Sequence, residues 1–129
     1  MMQKPNRVEA TAAARALIAE IRAEYPDILF HQSGGCGDGS SPMCYPAGEF
    51  HLGAGDVKLG EVAGVSVHIS GPQFQAWKHT QLILDVVPGR GGMFSLDNGR
   101  EKRFLARARV FTAEEVAALE ADEPDQASD

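Results

Sequence analysis

Thr80-Gln81-Leu82-Ile83-Leu84-Asp85-Val86-Val87 decides how the rest of the chain is read. Leu82, Leu84 and Val86 fall on one face of an extended segment, and Ile83, Asp85 and Val87 on the other. Both faces are mainly apolar, so the segment reads as a central strand covered on two sides. Asp85 is then out of place, because a buried carboxylate requires partners. Pro88-Gly89-Arg90-Gly91-Gly92 ends the strand in a glycine loop. A strand over Met93-Phe94-Ser95-Leu96 follows, then hairpin chemistry at Asp97-Asn98-Gly99. The return strand runs from Phe104 to Phe111, with Phe104, Ala106, Ala108 and Val110 inward and Arg103, Arg107 and Arg109 on the other face. That arginine face suits an acidic partner or the acidic tail of the chain, although a solvated edge strand explains it as well. Thr112-Ala113-Glu114-Glu115 forms a capping box before a last short helix carrying Val116 and Leu119.

Upstream of the central strand, Ser70-Gly71-Pro72 opens a short helix bearing Phe74 and Trp77. Val65, Val67 and Ile69 alternate with Ser66 and His68 in a half-buried strand, which puts His68 on the solvated face. Val57 to Val62 is its partner across the tight Ala63-Gly64 connection. Gly53-Ala54-Gly55-Asp56 is a turn, and Glu49 to Leu52 a weak strand. Nearer the start, Asn6 and Glu9 resemble a capping box opening a helix. Ala14, Leu17, Ile18 and Ile21 form its apolar stripe, and Pro26 stops it. Ile28-Leu29-Phe30-His31 is a short strand.

The strand over residues 28–31 feeds a second glycine loop, from His31-Gln32-Ser33-Gly34-Gly35-Cys36 through Asp38 to Cys44-Tyr45. It holds both cysteines of the chain. Seven residues separate Cys36 from Cys44, so this is not a zinc-ribbon pair. Two thiolates need further ligands, and His31, Asp38, His51 and His79 are the donors at hand. A mononuclear site using Cys36, Cys44 and one or two of His31, Asp38, His51 and His79 is one reading. A reversible disulfide or reactive thiol is another, and thiols that fill space beside a structural loop a third. His31 also suits a loop-bonding role, and His79 a helix C-terminal one. Arg90, set among glycines, is a candidate to hold an anion or an anionic cofactor.

The chain has 129 residues, 43% hydrophobic and 23% charged, with a formal net charge of -6. These values fit one domain over residues 1–129, ordered from about 6 to about 120, with a frayed acidic tail. The charge argues against a nucleic-acid partner. No apolar run reaches the ~20 residues of a membrane span, and the start lacks the apolar region of a signal peptide. A cytoplasmic location is expected, where a cysteine pair favours metal or redox use over a structural disulfide. No GxGxxG or Walker pattern is present, so no nucleotide is expected. No serine-elbow, kinase or protease signature is present either.

The loop run from His31 to Tyr45, Trp77-Lys78-His79-Thr80-Gln81-Leu82 and Asp85-Val86-Val87-Pro88-Gly89-Arg90-Gly91 together resemble the bacterial family called domain of unknown function 779. That family carries no established activity. The resemblance implies gene neighbourhoods with aldehyde dehydrogenases, and hence an aldehyde dehydrogenase or another enzyme as partner. A chain of this length without a cofactor fingerprint is not itself such a dehydrogenase. Gly37 departs from the pattern, since many members resemble one another in having a second cysteine there. A more distant similarity, in order of elements, is to HesB-like A-type iron–sulfur carriers. It implies a cluster cysteine at Cys36, but the C-terminal Cys-Gly-Cys of that family is missing.

The expectation is therefore an α+β domain: a mainly antiparallel β-sandwich or partly open barrel of HesB-like type, with an N-terminal helix and one or two short helices. The expected function is a small cytosolic accessory protein binding a transition metal (iron or zinc) or an iron–sulfur cluster. A metal-free interaction module and a small thiol- or metal-dependent enzyme are the alternatives. Homodimer formation through a sheet edge is expected as well.

Overall fold

A computed structural model of the chain describes residues 5–32, 42–49, 52–89, 95–97 and 99–122. The central strand, β6 (Thr80–Pro88), pairs antiparallel with β7 (Lys102–Val110), in a register running from Thr80 opposite Val110 to Pro88 opposite Lys102. On its other side lies β1 (Val8–Ala10), a three-residue parallel strand. The remaining strands are β2 (Ile28–Gln32), β3 (Met43–Pro46), β4 (Val57–Val62) and β5 (Val65–Ile69). They form a second sheet in the order β3-β2-β5-β4, in which only the β2–β5 pair is parallel. Among the described residues three helices complete the α+β fold: α1 (Ala12–Arg22), α2 (Gly71–Trp77) and α3 (Ala113–Asp122).

The two sheets share one core. Phe30 of β2 and Phe104 of β7, both fully buried, meet edge to face with ring centroids 4.8 Å apart. Ala14, Leu17, Ile18 and Ile21 of α1 enter the same cluster, as the i, i+3, i+4, i+7 spacing requires. The sheets also approach at two edges. A register shift in β4 falls between Lys58 and Gly60. There a Cβ on Gly60 would lie 3.2 Å from Val8 Cγ1, so the absence of a side chain lets β1 and β4 close together. At the other edge Cys44 N–H donates to Ser95 Oγ and Leu96 N–H to Cys44 O. Asp97 then accepts from Phe104 N–H with Oδ2. The result is a sandwich drawn together at its edges, not a closed barrel.

Several local expectations give way to long-range pairing. Asn6 does reach Glu9 through its side chain amide, yet Val8–Ala10 is extended. Arg7 O accepts from Leu82 N–H and Thr11 N–H donates to Leu84 O, which ties this segment to β6. The cap of α1 is Thr11, whose Oγ1 accepts from Ala14 N–H. The same hydroxyl donates to Asp85 Oδ1. Arg107 Nε, at 2.6 Å, and Val86 N–H complete the partners of Asp85. Arg107 and the two backbone and hydroxyl donors outweigh burial and hold its carboxyl below the usual range.

Residues 47–49 form a 3₁₀ turn instead of starting a strand, and Met43–Pro46, expected within the loop, is strand β3. Ser95 and Leu96 are not in a strand, and Met93 and Phe94 lie outside the described residues. Val110 is 72% exposed, because the core ends at Ala108. The Ala63-Gly64 connection is a two-residue turn with both φ values positive, at 50° and 79°. The capping box at Thr112 forms reciprocally with Glu115. Among the described residues, no helix is long and apolar enough to cross a membrane.

Candidate functional site

Strand pairing sorts the expected site residues onto two faces of one sheet. Cys44, Phe30, Val67 and Gly60 lie opposite one another across β3, β2, β5 and β4. Phe30 packs on Phe104, so this row faces the core. The neighbouring row is Met43, His31, His68 and Lys58, and alternation turns it to the outer face. Cys44 and His31 therefore point to opposite sides of the sheet. Cys44 is fully buried. Burial first, and Asp97 second, push its thiol up to about 12 against a weaker pull from Arg100. A thiol in that setting is a small hydrophobe, not a ready thiolate ligand.

The two histidines of the outer row are polar yet sheltered. His31 is 4% exposed and His68 9%, which corrects the expectation of a solvated His68. His31 Nε2 lies 3.1 Å from Asp56 Oδ1, a charge contact more than an aligned hydrogen bond. Asp56 is placed by its own turn, where Oδ2 accepts from Gly53 N–H at 2.7 Å and Asp56 N–H donates to Gly53 O. The turn is seated against α2, since a Cβ on Gly71 would lie 2.9 Å from Gly55 O. Burial pushes the Asp56 carboxyl upward, but Gly53 N–H, His31 and His68 outweigh it and leave the group below its ordinary range. His68 Nε2 is 3.1 Å from Ser66 Oγ. Burial, with His31 and Lys58 nearby, lowers its pKa against the opposing pull of Asp56. Imidazoles set beside a carboxylate can relay a proton, or contribute to a cation site that further donors complete.

His79 stands elsewhere. It is exposed at the junction of α2 and β6, where its carbonyl accepts from Phe111 N–H. Its neighbours in sequence serve the fold. Thr80 Oγ1 donates to Trp77 O, Gln81 Nε2 to Asn6 O, and Arg7 Nη1 to Lys78 O. Cys36, Asp38, His51 and Arg90 lie outside the described residues. Among the described residues, no three His, Cys, Asp or Glu side chains gather closely enough to hold a metal ion.

Asp56 and His68 were not singled out by sequence reasoning. Asp56 sits in an ordinary turn signal, and His68 alternates with valine and isoleucine as a solvated residue would. Their convergence on His31 depends on β2 pairing with β5, which no local signal announces. The arginine face of β7 also has an internal account. Arg107 pairs with Asp85, and Arg109 with Glu115 and Gln81.

No curated protein matches the chain. The model of the family described as domain of unknown function (DUF779) matches residues 17–110, a span from α1 to the end of β7. The three motifs that carry the resemblance fall within it, and the chain belongs to the DUF779 family.

Proposed function

We propose that this chain is a small metal-binding accessory protein in which His31 is an anchoring ligand. The observation that carries this reading is the sheltered His31–Asp56 pair, 3.1 Å apart, with the carboxylate held in turn by Gly53 N–H. A carboxylate beside a histidine is the usual outer support of a metal-binding imidazole. Cys36 and Asp38 follow His31 by five and seven residues and supply further donor types. With Cys44 turned into the core, a four-thiolate cluster lacks ligands within one chain. An imidazole, carboxylate and single-thiolate set suits one borderline ion, zinc or iron(II). The accessory role, an aldehyde dehydrogenase or other enzyme as partner, and a cytoplasmic location belong to the same proposal.

The test is metal analysis of untagged protein purified anaerobically, with reconstitution by zinc and by iron(II). About one equivalent of metal per chain is expected. His31→Ala should abolish it, Asp56→Asn should weaken affinity by roughly 10–100-fold, and Cys44→Ala should leave it unchanged. Protein that carries less than about a tenth of an equivalent and takes up none on reconstitution refutes the reading. The inward Cys44 favours one second reading, an interaction module that needs no metal. It predicts that Cys36→Ser and Cys44→Ser both leave partner binding intact.

A further inference from the structure

Trp77-Lys78-His79 is only partly accounted for by the fold, because its backbone is bonded while two of its side chains find no partner among the described residues. Among those residues the Lys78 ammonium and the His79 ring make no hydrogen bond or ion pair. Both line a cleft of about 50 Å³ with Arg7, Val116, Leu119 and Glu120. Arg7 is fixed there by donating to Lys78 O at 2.9 Å and by stacking 5.1 Å above the Phe74 ring. One wall of the cleft is thus basic. The opposite wall is the apolar side of α3, with Leu119 buried and Val116 half-buried.

We propose that this cleft binds a short monocarboxylate of the acetate or propionate class. The carboxylate would lie against Lys78 and His79 beside the guanidinium of Arg7, and the alkyl end against Val116 and Leu119. Size suggests the class, because at roughly 10–15 Å³ per water-sized group the space takes about four heavy atoms. Charge narrows it further. Glu120 also lines the cleft, and its repulsion grows with the charge of the ligand, which disfavours phosphate and dicarboxylates relative to a monocarboxylate. This cleft is independent of the metal reading, since none of the residues that line it belongs to the outer row of the four-stranded sheet.

The experiment is an NMR titration of the full chain with sodium acetate and sodium propionate, against sodium chloride at matched ionic strength. Saturable shifts are expected at Lys78, His79, Val116 and Leu119, with a dissociation constant in the millimolar range that such small ligands reach. Lys78→Gln/His79→Gln should weaken binding at least about tenfold. Equal shifts with chloride, no saturation, or unchanged affinity in the double variant overturns the proposal. Glu123→Gln/Asp125→Asn in the full chain gives a further test. If those substitutions alone reproduce the shifts at Lys78 and His79, the occupant is the acidic tail and the carboxylate proposal fails.

Discussion

Alkylation of Cys44 tests the placement on which the reading of the site turns. Its thiol, pushed up from 9.0 to about 12, would hold about a thousandfold less thiolate at any pH below 9 than an ordinary thiol. The side chain is also 0% exposed, so reaction requires opening of the sheet edge at β3. For a domain stable by about 5 kcal/mol, global opening supplies the reactive form at a fraction of about 10⁻⁴. Both effects point the same way. Iodoacetamide labelling at pH 8, with peptide mapping to resolve Cys44 from Cys36, should give a native rate at least about a hundredfold below the rate in denaturant. Cys44→Ala should cost about 1 kcal/mol for the lost sulfur, and Cys44→Ser more, since a hydroxyl is costlier to take out of water than a thiol. Labelling of native Cys44 within about tenfold of the denatured rate would refute the inward placement. It would also return Cys44 to the set of metal ligands.

Three other outcomes follow from the same packing. A double-mutant cycle on Phe30→Leu and Phe104→Leu should show a coupling of about 0.5–1.5 kcal/mol in urea unfolding, as expected for an edge-to-face pair joining two sheets; coupling near zero would separate the sheets energetically. Thr11→Ala should destabilise by about 1–2 kcal/mol, because one hydroxyl both caps α1 and donates to Asp85, while Thr11→Ser should retain most of the stability. The lowered pKa of His68 makes the folded state the poorer proton binder. Its contribution is complete above the unfolded value of about 6.5 and is lost as pH falls toward the folded one. Urea midpoints should therefore drop between about pH 7 and 5.5, less steeply in His68→Gln; identical slopes would remove His68 as the cause.

Much of this architecture is local and was legible as such. The four-residue stripe of α1, the alternation in β5, the two-faced β6 and the Thr112 capping box each depend on neighbours within a few positions. These elements appear where periodicity puts them, except that only the Leu82, Leu84 and Val86 face of β6 joins the core, while Ile83, Asp85 and Val87 on the other face are half-buried. Asp85 was legible as an anomaly, a carboxylate in an apolar strand. Its partners were not, because Thr11 lies 74 residues away and Arg107 is 22 residues downstream. The three residues of β1 contradict their own capping signal, since ladder bonds to β6 and burial of Val8 outweigh one side-chain contact between Asn6 and Glu9.

The site divides along the same line. Sequence alone established that His31 and two cysteines share a glycine-rich stretch, and that family membership runs through it. Only the tertiary structure decided which of them can act together. The β2–β3 register sends Cys44 inward and His31 outward, and a one-residue slip would reverse both. The β2–β5 pairing sets His68 beside His31, and the turn before β4 brings Asp56 to its ring. Alternation along a strand is written in the chain. Which face becomes the core, and what crosses to meet it, is a property of strand pairing, and pairing is settled by contacts far apart in sequence.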